Sequence, residues 1–276
     1  MGIEDAVYLE HFNLREAPFN LTPCTRFLYW TRGHRQALDH LLFGIRQRKG
    51  FIVLTGEVGS GKTTLTRALL RELEPRFKTA LILNPALSES QLLRLILTEL
   101  GMVGVKGDTL ALRSRLNEFL LEQMHCGNDV VLIIDEAQNL SRKMLETIRL
   151  LSNLETETQK LLQIVLIGQP ELREVLNHHS LRQLRQRITV SFHLCGMTAV
   201  DSHEYVRHRV AVAGGDPGVC FEDAALARVG EVTDGVPRRI NAVSDMALLA
   251  AFSRGAPRVD VSAVEAAVRE LQGMQA

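Results

Sequence analysis

The stretch "FIVLTGEVGSGKTTLTRALLREL" (51–73) constrains this chain more than any other. A short run of purely apolar residues, 51–55, reads as a strand buried on both faces. The segment after it, Gly56 to Thr63, fits G-x-x-x-x-G-K-[ST], and a helical pattern begins at once. Strand, glycine-rich loop and helix in that order are the context in which such a loop cradles phosphates. The glycines let backbone N–H groups turn inward, and the helix N-terminus adds positive potential. Gly56, Glu57, Val58, Gly59, Ser60, Gly61, Lys62, Thr63 and Thr64 are therefore the expected nucleotide-binding residues. Lys62 is expected on the β- and γ-phosphates, and the Thr63 hydroxyl on Mg²⁺. An ordinary glycine turn needs neither the lysine nor the hydroxyl.

A second stretch, "VVLIIDEAQ" (130–138), has the matching form. A buried strand ends in Asp135, which delivers a carboxylate to the C-terminal edge of a sheet, where ligands bind. Asp135 is expected to hold Mg²⁺, directly or through water, and Glu136 to act as general base on an attacking water. The plainer reading is an acidic pair that caps the next helix. Strand and helix signals alternate between these motifs and beyond them. Strands are expected at 51–55, 79–83, 130–135, 161–168 and 188–194, with helices between, which implies a parallel sheet with right-handed crossovers. A full strand, 79–83, separates the two motifs, so their strands are not expected to be neighbours. Gln169 ends the strand expected to lie between them. It is placed to position the water or sense the γ-phosphate, or else to cap the helix "PELREVL".

After Gly196 the pattern changes. Helical periodicity covers about 198–213, 222–233, 237–253 and 260–272, separated by "GGDPG", "DGVP" and "GAP". This reads as a small four-helix domain. In "SLRQLRQRITV", Arg182 and Arg185 share an outward face and Arg187 ends the helix. An arginine there can reach a neighbouring subunit's nucleotide, or simply favour the helix dipole. In "GVPRRIN" Pro237 suits the first helical turn. Arg238 is placed to touch a γ-phosphate if the helical domain folds over the nucleotide, while Arg239 points elsewhere.

Composition limits the remaining classes. Lys plus Arg and Asp plus Glu both number 32, so net charge is zero and no overall basic field recruits nucleic acid or an anionic membrane. The four cysteines, Cys24, Cys126, Cys195 and Cys220, have no CxxC spacing, which fits a reducing compartment and disfavours a zinc site. His203 and His208, at i,i+5, face apart on their helix. The N-terminus lacks the apolar region of a signal peptide, and no apolar run nears the roughly 20 residues that span a bilayer.

With these residues in hand, the chain resembles the AAA+ ATPases of the ExeA/GspA-type secretion and pilus family. The short members, such as the MSHA-pilus and exosortase-associated ATPases, are the nearest in length. The resemblance covers nearly the whole chain, through "YLEHFNLREAPFNLTPCTRFLYWTRGHRQALDHLLFGI", "GEVGSGKTTLTRALL", "DEAQNLS", "LETIRLLSNLETETQKLLQIVLIGQPEL", "LRQLRQRI", "EYVRHRVAVAGG" and "GVPRRIN". It departs at "LCGMTAVD", where the family carries Pro-Leu. The chain also ends at Ala276, as in the short members or the ATPase half of a long one. The resemblance implies an α/β AAA+ P-loop fold: a five-stranded parallel sheet sandwiched by helices, plus a small all-α lid. The expected domains are an N-terminal segment (1–50) packing on the nucleotide site, an ATPase domain (51–196) and a lid (197–276). It implies ATP and Mg²⁺ as cofactors, Gln169 as sensor 1, Arg187 as arginine finger with Arg185 still open, and Arg238 as sensor 2. It further implies self-association into a ring or filament, with a hexamer as the leading expectation. The partner is an envelope machine, and the location is cytoplasmic, peripheral at the inner membrane through that partner without direct insertion. Two rival functions remain: a DNA-binding transposition regulator of the TniB/MuB type, for which the neutral charge offers no support, and a nucleotide-gated scaffold with little turnover.

Overall fold

The computed structural model describes residues 7–20, 25–156 and 159–273. Its chain divides into two compact units.

The first unit to consider runs from His34 to Glu57 and from Gly61 to Leu194. It contains most of α1 (Arg32–Arg46), then β1 (Phe51–Gly56), α2 (Lys62–Glu72), β2 (Phe77–Ile82), α3 (Glu89–Glu99), α4 (Thr109–His125) and β3 (Asp129–Ile134). It continues with α5 (Arg142–Leu151), β4 (Leu162–Gly168), α6 (Glu171–Asn177), α7 (Arg182–Arg187) and β5 (Ile188–Leu194). All pairings are parallel and the strand order is β2-β3-β4-β1-β5. The expected five-stranded parallel sheet is present, and β4 stands between the two motif strands as the sequence implied.

The strand sequences explain this order. β1, β3 and β4 are buried along their full length, as only strands covered on both faces can be. β2 and β5 alternate buried with exposed positions and form the edges. On one face Phe51, Val53, Leu132, Ile134, Ile164 and Leu166 join the apolar sides of α3, α4, α5 and α6 in one core. The alternate residues Ile52, Leu54, Ile133, Val165 and Ile167 are buried too, and α1 lies close enough that a Cβ on Gly44 would meet Ile52. Helix starts follow their caps: Ser88 with Gln91 forms a capping box for α3, Asp108 caps α4 and Ser141 caps α5. The basic cluster at 46–49 is engaged at the other end of the sheet. Arg48 pairs with Asp129 at 2.7 Å and Lys49 lies over the Phe43 ring.

The second unit gathers the described residues up to Gly33, the loop tip Val58–Ser60, and the chain from Cys195 onward. Its helices are α8 (Ala199–Val212), α9 (Pro217–Cys220), α10 (Asp223–Thr233), α11 (Pro237–Ser253) and α12 (Val261–Gly273). The expected four helices are joined by a short fifth in "DPGVC", started by the Asp216 cap and Pro217. The division also departs from the expected bounds. The described residues among 1–50 fall in both units: Tyr8, Phe12, Leu14, Phe19 and Phe27 share the helical core with Val206, Leu226, Ile240 and Leu248, while α1 packs with the sheet. The tie is polar as well. The buried Arg209 guanidinium donates to the Pro18 carbonyl at 2.5 Å and to the Tyr205 hydroxyl at 2.8 Å, and it lies 4.8 Å from the Phe27 ring centre. Tyr205 in turn donates to Asn241 at 2.9 Å.

At the junction, two glycines let two chain segments touch. The Met197 N–H donates to the Gly235 carbonyl at 2.8 Å. A Cβ on Gly235 would lie 2.1 Å from the Met197 oxygen, and one on Gly196 would lie 2.1 Å from the Asp234 oxygen. Gly196 and Met197, within the departure, thus pack directly against the turn that launches α11. Among the described residues no helix is long and apolar enough to cross a membrane, and no cluster of His, Cys, Asp or Glu forms a metal site. Cys126 and Cys195 are exposed and Cys220 is buried, and Cys24 lies outside the described residues.

Candidate functional site

In the order β3-β4-β1, three neighbouring strands release Asp135, Gln169 and the glycine-rich loop at the same edge of the sheet. Parallel strands make this happen, because all their C-terminal ends point one way.

Gly61 precedes α2 with φ 100° and caps it without any side-chain hydrogen bond. The first intrahelical bond runs from the Leu65 N–H to the Gly61 carbonyl, so the N–H groups of the first turn have no acceptor within the helix. His34 packs against Gly61 so closely that a Cβ there would stand 2.6 Å from its Nε2. Lys62, only 6% exposed, donates to the Gly56 and Glu57 carbonyls at 2.8 and 2.9 Å. Burial pushes its pKa down, against the pull of Glu136, Asp135, Glu57 and Glu171. Thr63 is exposed in the first turn, with Thr64 half-buried beside it. Gly59, at the loop tip, lies within the helical unit, where its carbonyl accepts the Arg238 N–H at 3.4 Å.

Asp135 is 4% exposed, and burial pushes its carboxyl above the usual range. Its Oδ1 accepts the Glu136 N–H at 2.9 Å, which partly restores the charged form. That bond steadies an unusual backbone: Glu136 has φ 51°, in the left-handed region, and begins a 3₁₀ turn, Ala137–Asn139. The carboxylate of Glu136 is held from the side. Gln169 Nε2 donates to its Oε2 at 3.2 Å, and Gln138 Nε2 donates to the same oxygen at 2.5 Å. Gln138 Oε1 accepts the Gln169 backbone N–H at 3.0 Å. Sequence reasoning quoted Gln138 within "DEAQ" but gave it no task. The available signal was a polar residue two positions after the acid, inside a tight turn.

The arginines differ from one another. Arg187 Nη1 donates to the Ser152 hydroxyl at 2.8 Å, within its own unit. Arg185 is exposed and reaches Asn177 at 3.4 Å. Arg239 is engaged by Asp234 at 2.6 Å and by the Val232 carbonyl at 3.2 Å. The exposed Arg238 side chain has no hydrogen-bond or ion-pair partner among the described residues.

The residues that meet in the sheet unit, namely Lys62, the first turn of α2, Asp135, Glu136 and Gln169, suit a polyphosphate with a divalent cation. The donors of an uncapped helix start face anions, and a buried carboxyl pushed toward its neutral form is one that a cation would return to the charged form.

Comparison with known proteins agrees with this geometry. The AAA domain family matches residues 45–176. General secretion pathway protein A of Aeromonas hydrophila is 42% identical over 270 residues, 98% of this chain and 49% of that protein, so the chain spans about half the length of that relative. Among solved structures, the Drosophila ORC bound to DNA superposes with TM-score 0.69 at 18% identity, over 98% of this chain and 68% of that one. Cdc6p from Pyrobaculum aerophilum gives 0.67 at 17%, over 92% and 70%. The RuvB Holliday junction branch migration motor of Thermotoga maritima gives 0.55 at 19%, over 86% and 69%. These three likenesses establish the fold alone. The 42% identity to general secretion pathway protein A over 98% of this chain, beside the AAA domain match, the sheet order and the loop, makes the chain similar to the AAA+ P-loop proteins of the ExeA/GspA type.

Proposed function

We propose that the chain binds ATP with Mg²⁺ and hydrolyses it to ADP and phosphate to drive the assembly or operation of a cell-envelope secretion machine. The observation that carries the chemical half is the Glu136 carboxylate, held by Gln169 at the sheet edge that also bears Asp135 and the phosphate loop. The identity to general secretion pathway protein A supports the biological half.

On this reading the first-turn N–H groups of α2 and the Lys62 ammonium bind the phosphates. The Thr63 hydroxyl and the Asp135 carboxylate would hold magnesium, which when bound neutralises charge on the phosphate oxygens. Glu136 takes the proton from the attacking water, and Gln169 orients that water. Arg187, released from Ser152, serves the site of a neighbouring copy in a ring or filament. Arg238, with its side chain uncommitted, senses the γ-phosphate. The helical unit acts as the lid, and the partner holds the protein peripherally at the inner membrane.

The test is Glu136→Gln. It should keep nucleotide affinity in a direct titration and abolish phosphate release, because the base is removed while the phosphate and metal ligands stay. Phosphate release at the unaltered rate would place the base elsewhere.

A further inference from the structure

We propose that Gln138 is a positioning residue for hydrolysis: with Gln169 it forms an amide clamp that fixes the Glu136 carboxylate. The inference rests on Glu136 acting as the base.

Glu136 sits on a left-handed turn just beyond the strand, so its carboxylate needs outside donors to hold one direction. Two arrive, and both bind Oε2: Gln138 Nε2 at 2.5 Å and Gln169 Nε2 at 3.2 Å. No described residue bonds Oε1. One oxygen is thus anchored and the other is left for water. The Gln138 amide is itself oriented by chemistry. Its acceptor end takes the Gln169 backbone N–H at 3.0 Å, so only its donor end can face the carboxylate. Glu136, Gln138 and Gln169 close one ring of hydrogen bonds, and neither glutamine side chain has another partner in it.

Gly168 shows that room is kept for this clamp. Its backbone demands no unusual conformation, yet a Cβ there would stand 2.8 Å from Gln138 Oε1 and 2.9 Å from Leu172 Cδ2. Any larger residue at the end of β4 would press on the amide. A base held in place before water arrives needs no reorganisation during the reaction, and loss of such placement costs up to about 100-fold in rate.

The experiment measures steady-state kcat and KM for ATP, and ADP affinity, on the full chain carrying Gln138→Ala, Gln138→Met, Gly168→Ala, Gly168→Ala with Gln138→Ala, and Glu136→Gln. Gln138→Ala should lower kcat about 10- to 100-fold while KM and ADP affinity stay within about twofold. Gln138→Met keeps the bulk without the donors and should match it, so the result stands even if the alanine variant folds poorly. Gly168→Ala should lower kcat in the native background and clearly less beside Gln138→Ala, where only Leu172 still crowds the new Cβ. Unaltered kcat in both Gln138 variants, a loss confined to KM or affinity, or additive losses in the double variant would each overturn the clamp. Glu136→Gln separates the two readings. If it hydrolyses normally, the base assignment fails; if it is dead while the Gln138 variants are normal, only the clamp fails.

Discussion

Gly61→Ala is expected to cost about 2–5 kcal/mol of stability, for two separable reasons. A side chain at φ 100° is strained by about 1–2 kcal/mol. The new Cβ would also stand 2.6 Å from His34 Nε2, and displacing a buried ring costs about 1–3 kcal/mol. In a unit of this size the sum lowers the melting temperature by roughly 5–20 °C. The assay is thermal melting of four proteins: the parent, Gly61→Ala, His34→Ala and the pair. With the ring gone, only the backbone share should remain, so the alanine at 61 should cost about 1–2 kcal/mol beside His34→Ala. The difference between backgrounds, about 1–3 kcal/mol, is the direct measure of the contact. Equal cost in both backgrounds would show that the ring does not crowd Gly61. A cost below about 0.5 kcal/mol in the parent would refute the strained backbone as well.

Further outcomes follow from individual side chains. Lys62→Ala should abolish tight nucleotide binding in a direct titration, since it removes the buried cation and leaves the Gly56 and Glu57 carbonyls without their donor. Arg187→Ala should leave binding intact yet lower hydrolysis by roughly 10³–10⁵, and specific activity of the parent should rise with protein concentration; strict proportionality would count against a shared site. Arg238→Ala should narrow the gap between affinities for a non-hydrolysable ATP analogue and ADP, while Arg239→Ala, bound to Asp234, should mainly lower the melting temperature. His208 is pushed below its ordinary pKa by burial and by Arg209. Its neutral form is therefore the stable one: stability is complete above about pH 6.5 and declines as pH falls toward the lowered folded value. The parent should lose more melting temperature than His208→Gln between pH 7.5 and 5.5, and equal losses would remove His208 from the account.

The sheet was legible because its strands are short, its central ones almost entirely apolar, and helical periods separate them. The place of β4 between the motif strands was also expected, although β2, the strand that divides the motifs in sequence, lies at the edge of the sheet. Lys62 and Thr63 were legible as residue types at a helix start after a glycine-rich loop, and Asp135 and Glu136 as an acidic pair just past a strand. What escaped was decided by tertiary contact. Nothing in "VYLEHFNL" announces that Tyr8 and Phe12 complete a core built around residues 199–273, because those contacts join positions some 200 residues apart. The partner of Arg187 was equally hidden, as Ser152 lies on another helix end. Gln138 was in plain view, but its task depends on where β4 ends, and a single stretch of chain carries no such information. The short helix at 217–220 was masked by Pro217 and Gly218, which read as a turn.

The contact of Gly196 with Asp234 and of Gly235 with Met197 has a mechanical consequence. Two strands of backbone that cross with no side chain between them, and share a hydrogen bond, cannot slide or twist past one another without breaking that contact. The chain entering α8 and the chain entering α11 are in effect welded at one point. Within the helical unit, any displacement of the chain entering α8 must therefore carry Asp234 and Gly235, and with them the start of α11 at Pro237, or break that contact.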